Sequence, residues 1–124
     1  VLQGIEAGGH RGGFLADDLT GQMPLLDLLT TVKPLISTPI IAAGGIRDHK
    51  KVLACFEKGA SAVQIGTALL ACSDCDAICE SYRRSILQTH AADISVTPVI
   101  SGRNARSIHN ELLNLMQAYH DNYT

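Results

Sequence analysis

Pro39-Ile40-Ile41-Ala42-Ala43-Gly44-Gly45-Ile46 decides the fold. Apolar residues led by isoleucines and followed by a glycine pair read as a strand buried on both faces that ends in a tight turn. Ser61-Ala62-Val63-Gln64-Ile65 followed by Gly66-Thr67 repeats the design one helix later. The intervening helix runs from about His49 to Lys58, with Asp48 as N-cap, Gly59 in the C′ place and Val52, Leu53 and Phe56 on the face turned to the sheet. This is a right-handed βαβ unit whose strands both open into glycine. An anion fits there, because unshielded backbone N–H groups beside a helix start bind negative charge.

Working outward, Val1 to Ala7 reads as a first strand that stops at Gly8-Gly9. Gly8, Gly9, Gly12 and Gly13 bracket His10 and Arg11, so the backbone there can approach a ligand closely while presenting an imidazole and a guanidinium. Residues Asp17 to Gln22 read as loop. Pro24 opens an amphipathic helix through Val32, which Pro34 ends near Lys33. Downstream, Thr67 to Ala71 reads as a short helix, Asp76 caps a helix through about Gln88, and Ile94 to Ile100 is β-like. Gly102 then turns the chain into a last helix, Ala105 to about Tyr119, with Leu112, Leu113, Leu115 and Met116 packing inward.

Strands alternating with helices define a parallel α/β sheet with function at the C-terminal strand ends. An open doubly wound sheet would carry its glycine-rich turn after the first strand, whereas here three successive strands end in glycine. A (β/α)8 TIM barrel, which binds phosphate after its seventh and eighth strands, fits better. A whole barrel needs about 200 residues or more. Residues 1–124 therefore read as one partial barrel domain: the last three strands, their helices and a C-terminal helical extension. The opening on Val1, inside a strand, agrees with a piece of something longer.

Composition narrows the partners. Ten Lys and Arg against twelve Asp and Glu leave a net charge of −2, which gives no electrostatic reason to expect nucleic acid or an anionic membrane. No apolar run approaches the ~18 residues of a transmembrane helix, and a cytoplasmic setting is the default expectation. Cys55, Cys72, Cys75 and Cys79 read as reduced thiols. Cys72-x-x-Cys75-x-x-x-Cys79 lacks a matching second ligand pair, so no metal site is expected. His49, His90, His109 and His120 read as surface or helix-end residues.

Gln3-Gly4-x-Glu6-Ala7-Gly8-Gly9-His10-Arg11-Gly12, the Pro39-x-Ile41-Ala42-Ala43-Gly44-Gly45-Ile46 strand, Gly59-Ala60-x-x-Val63-Gln64-x-Gly66-Thr67 and Ser101-Gly102-Arg103-x-Ala105-Arg106 with Asn110 together resemble the nitronate monooxygenase family, formerly 2-nitropropane dioxygenases. The resemblance implies the C-terminal half of an FMN-dependent barrel. It implies flavin contacts from Gln3, Gly8, Gly45, Gln64, Ile65, Gly66 and Thr67, with Gly9 and Gly44 as further candidates. It implies that His10 is the active-site histidine, taking the proton α to the nitro group of neutral nitroalkanes or positioning a nitronate that arrives deprotonated. Imidazole, with an ordinary pKa of about 6.5, suits either task. The implied partners are a small nitronate or nitroalkane and O2, and the implied products a carbonyl compound and nitrite. Without the strands that precede it in such a barrel, the segment is expected neither to hold FMN tightly nor to turn over.

Three choices stay open at this level. Arg11 either attracts an anionic substrate or pairs with Asp17 or Asp18. Glu6 either accepts a hydrogen bond from the loop or orients His10. The flavin-dependent enoyl-acyl-carrier-protein reductases share the Glu-Ala-Gly-Gly-His core, the Ala-Ala-Gly-Gly strand and the Gly-Thr turn, which keeps an NAD(P)H-dependent reductase as the rival activity. A flavin-free phosphate-binding module is the third reading.

Overall fold

In a computed structural model describing residues 1–13 and 19–123, two small sheets share the work of building the molecule. The first is parallel, in the order β1 (Leu2–Gln3), β3 (Ile41–Ala43), β4 (Ala62–Gln64). The second is antiparallel, in the order β2 (Gly9–His10), β6 (Ala105–Ile108), β5 (Ile94–Thr97).

Alternation gives the parallel sheet two unlike faces. Leu2, Ala42 and Val63 occupy one row and turn toward α1 (Leu25–Val32) and α2 (His49–Glu57). There Leu25, Leu29 and Cys55 are fully buried and join Ile40, Ala42, Ile46 and Ala60 in one apolar cluster, with Val52 and Ile65 against it. The next row, Gln3, Ala43 and Gln64, belongs to the other face and carries the polar side chains.

The crossover helix forms as read. Asp48 accepts a hydrogen bond from Lys51 N at 2.8 Å, and Gly59 ends the helix at φ +88°, a left-handed conformation that favours glycine. Asp48→Ala is expected to cost about 1 kcal/mol, measurable as a lowered urea midpoint. The buried face differs from the one expected. Cys55 is fully buried, whereas Leu53 and Phe56 are 46% and 44% exposed, because the stripe against the sheet runs through Val52 and Cys55.

Other corrections fall on element ends. The first strand pairs only over Leu2–Gln3, since the chain bends at Gly4 to bring Glu6 under α1. The helix α4 spans Glu80–Gln88 with Cys79 as N-cap, three residues beyond Asp76, because the Arg83 guanidinium ties up the carbonyls of Cys72 and Cys75 and holds that segment as turns. The short helix α3 covers Thr67–Leu70.

The largest correction concerns the C-terminal segment. Ala105–Ile108 is a strand, not the start of the last helix, and it pairs on both sides, with Ile94–Thr97 and with Gly9–His10. The helix α5 begins only at Glu111 and runs to Tyr123, where Asn110 Oδ1 accepts from Leu113 N at 2.9 Å. Of its expected inward residues, Leu113 is buried and Met116 half-buried, while Leu112 and Leu115 are exposed. The extension is thus a β-hairpin followed by a helix. No helix among the described residues is long and apolar enough to cross a membrane.

Candidate functional site

Parallel register gathers the strand ends. Gln3, Ala43 and Gln64 stand side by side on one row, so two amide side chains from non-adjacent strands flank a small alanine. Directly beyond that row lie Gly44-Gly45 on one strand end and Ile65-Gly66-Thr67 on the other. A Cβ placed on Gly8 would come within 3.2 Å of Thr67 Oγ1, so the His10 loop closes over the β4–α3 turn.

The glycines divide by cause. Gly44 and Gly45 have φ of +129° and +60°, and a Cβ on Gly45 would meet Glu6 Cβ at 3.0 Å. The turn itself therefore requires glycine at both. Gly66 differs, because a Cβ there would meet open space, and packing gives no reason for its lack of a side chain. The Thr67 hydroxyl beside it is exposed and has no hydrogen-bond partner among the described residues. A bare backbone turn with a spare hydroxyl donor fits the phosphate of a cofactor.

The loop that carries His10 is tied to the row beneath it. Gln3 Nε2 donates to His10 O at 3.0 Å, and Gln3 Oε1 accepts from Gly12 N at 2.7 Å. The amide keeps a second N–H and a second lone pair for a ligand. From the other side, β2 pairs with β6, placing His10 opposite Ala105. That pairing brings the β5–β6 turn to the imidazole, and His10 Nε2 lies 2.8 Å from Ser101 Oγ. Nothing in the sequence marked Ser101 as the partner of a histidine 91 residues away.

Arg11 and Glu6 take structural positions. The Arg11 guanidinium donates to the carbonyls of Ile5 and Ala7 from Nη1 and of Gly4 from Nη2, each at 3.0 Å. Burial, then the nearby Arg106, pull its pKa below the ordinary arginine value, against the opposing pull of Glu6. Asp17 and Asp18, the suggested partners, lie outside the described residues. Glu6 Oε2 accepts from Leu25 N at 2.9 Å, supplying a carboxylate to the start of α1, while Oε1 lies 3.6 Å from Lys51 Nζ. Its oxygens serve the helix layer, not His10. His49, His90, His109 and His120 are exposed.

All four cysteines are free, and no group of three or more His, Cys, Asp or Glu is placed to hold a metal ion among the described residues. Their environments differ. The hydrogen bond from Ser81, helped by backbone N–H donors at the start of α4, holds the Cys79 thiol below its ordinary pKa, whereas burial pushes the Cys55 thiol up. A lowered pKa populates the thiolate at lower pH. Alkylation of Cys79 by iodoacetamide should therefore set in at a pH below that of a free thiol such as glutathione, with Cys55 unlabelled until the fold opens. Peptide mass spectrometry over a pH series checks this.

The arrangement defines an α/β protein whose glycine-ended strands meet, through the Gln3 amide, the backbone of the loop that carries His10. Residues 1–123 match the family model described as nitronate monooxygenase, and the chain belongs to that family. A probable nitronate monooxygenase of Bacillus subtilis (strain 168) is 42% identical over 111 residues, covering 90% of this chain and 32% of the relative. One from Staphylococcus saprophyticus is 41% identical over 123 residues, covering 98% and 34%. Among solved structures, a nitroalkane oxidase from Streptomyces ansochromogenes superposes with a TM-score of 0.82 at 34% identity, over 94% of this chain and 34% of its own. FabK from Thermotoga maritima gives 0.71 at 31% identity, over 95% and 38%. The chain thus spans about a third of the proteins it matches, consistent with part of a barrel. The family is one of flavin-dependent oxidoreductases.

Proposed function

We propose that this chain supplies the last three strands of an FMN-binding (β/α)8 barrel that oxidises alkyl nitronates, and nitroalkanes, with O2 to a carbonyl compound and nitrite. The observation that carries the reading is the Gln3 amide, which joins the strand-end row to the backbone of the His10 loop at 3.0 and 2.7 Å. It ties the backbone of the loop that bears His10 to the strand-end row, which supports a reading in which the imidazole serves a cofactor bound at those ends.

In this reading Gly45, Gly66 and Thr67 hold the FMN phosphate. Gln3 and Gln64 present amides to the polar edge of the ring, and Gly8, Gly9, Gly44 and Ile65 let the backbone lie close to it. Bound FMN supplies the electron acceptor and the reaction with oxygen. The chain supplies His10, which takes the proton α to the nitro group of a neutral nitroalkane and holds the negative charge of a nitronate.

The rival activity is an NAD(P)H-dependent reductase, supported by the shared Glu-Ala-Gly-Gly-His core and Gly-Thr turn. Anaerobic mixing separates the two. The full-length protein loaded with FMN should lose its visible flavin bands on addition of an alkyl nitronate. Bands that persist with nitronate but bleach with NADPH overturn the proposal in favour of the reductase.

A further inference from the structure

The contact between β2 and the β5–β6 turn leaves one hydroxyl between an imidazole nitrogen and a carbonyl oxygen. Ser101 Oγ lies 2.8 Å from His10 Nε2 and 3.3 Å from Arg103 O. A carbonyl oxygen only accepts, and a serine hydroxyl has a single proton to donate. Both contacts are hydrogen bonds only if Ser101 donates to Arg103 O and accepts from His10 Nε2–H. The opposite arrangement, with the hydroxyl donating to Nε2, leaves the contact with Arg103 O without a proton.

The turn that holds Ser101 is itself fixed. Pro98 O accepts from Ser101 N at 3.2 Å and from Gly102 N at 2.7 Å. Gly102 has φ +74°, a conformation few residues other than glycine adopt. On the other side, His10 is held by its pairing with Ala105 and by the Gln3 amide on its carbonyl. Ring and hydroxyl are therefore set by two independent pieces of backbone. Among the described residues Nδ1 has no hydrogen-bond partner.

We propose that Ser101 is a positioning residue that locks neutral His10 in the Nε2–H tautomer and so makes Nδ1 the atom that takes the substrate proton. The inference rests on the proton-abstracting role given to His10 above and names how the chain prepares that role. The Nδ1 lone pair takes the carbon-bound hydrogen next to the nitro group as a proton. The electron pair of the broken C–H bond moves into the C=N bond of the nitronate, and the charge moves to the nitro oxygens. The imidazolium keeps Nε2–H on Ser101 and has Nδ1–H facing the new anion. No ring flip or hydroxyl reorientation accompanies the step, because the Ser101 hydrogen bond is the same before and after it.

The test is a long-range 1H–15N correlation spectrum of the full-length, 15N-histidine-labelled protein at a pH where His10 is neutral, with His10 assigned by its absence in a His10→Asn protein. The expected spectrum shows Nε2 in the protonated range and Nδ1 in the unprotonated range. Ser101→Ala is expected to give averaged values for the two nitrogens, and Ser101→Thr, which keeps a hydroxyl, to restore the split. A neutral His10 protonated at Nδ1, or one unchanged by Ser101→Ala, overturns the proposal. A folding defect in the alanine variant would show in the other histidine signals as well, and the unmodified spectrum then decides alone. In the FMN-loaded enzyme, Ser101→Ala should lower kcat for a nitroalkane about 10- to 100-fold and leave a preformed nitronate far less affected. If the spectra agree but the unmodified enzyme turns over neither substrate, the functional reading fails while the tautomer assignment stands.

Discussion

Arg11→Ala should destabilise the fold by about 3 kcal/mol, the scale of losing charge-assisted hydrogen bonds to half-buried carbonyls. Three carbonyls, those of Gly4, Ile5 and Ala7, take their hydrogen bonds from this one guanidinium. They belong to the bend that carries the chain from β1 into the His10 loop. Two effects oppose the loss: removal of a partly desolvated cation near Arg106, and removal of a buried Nε that has no partner among the described residues. Three donor contacts outweigh them: Gly4 O keeps the Ala7 N–H at 3.1 Å, but the carbonyls of Ile5 and Ala7 lose their charged donor, and a carbonyl left without a donor keeps its own desolvation cost. Arg11→Lys should recover little. One ammonium cannot span three acceptors that a planar fork reaches from two nitrogens. Urea denaturation of the three proteins measures the effect, and an unchanged midpoint for Arg11→Ala would show that desolvation and repulsion cancel the hydrogen bonds.

The same bend explains what the sequence could and could not disclose. Local signals were legible wherever one residue does one local job. Asp48 caps α2 and Gly59 ends it, and the glycine pair after Ala43 takes left-handed backbone. The parallel sheet and the glycine turns at its strand ends follow from the same spacing of apolar runs and glycines. What stayed hidden depends on partners distant along the chain. Glu6 caps a helix that starts 19 residues later, and Arg11 folds back on its own strand instead of facing a ligand. Ala105–Ile108 carries helix-compatible residues, yet it pairs on both sides, with a strand that ends eight residues before it and with Gly9–His10 some 95 residues before it. Tertiary pairing overrides local propensity there.

Misreading that one strand hid the partner of His10. As a helix from Ala105, the segment would carry Ser101 on a loop with no assigned neighbour. As a strand, it must lie beside Gly9–His10, and the turn before it then falls on the imidazole. The Ser101-Gly102-Arg103 stretch, recognisable as a motif from its residues, gains a physical reason: Gly102 makes the turn, Arg103 gives a carbonyl acceptor, and Ser101 faces His10.

His10→Asn is expected to have the largest effect on turnover, and to have it selectively. Asparagine keeps a polar group near the place of the imidazole Nδ1 and leaves the backbone pairing with Ala105 available. Its amide, however, cannot accept a proton at neutral pH. In the full-length FMN-loaded enzyme, kcat/KM for a neutral nitroalkane should fall about 10²- to 10⁴-fold, the usual contribution of a positioned general base. A preformed nitronate needs no such step, so its turnover should fall by no more than about tenfold, the part owed to holding the anion. The ratio of the two losses carries the argument, because flavin content and folding affect both substrates alike. Equal losses on both substrates would mean that His10 binds the anion and that the carbon-bound proton leaves by another route. A loss confined to the nitroalkane would tie the proton to the imidazole that β6 and Ser101 hold in place.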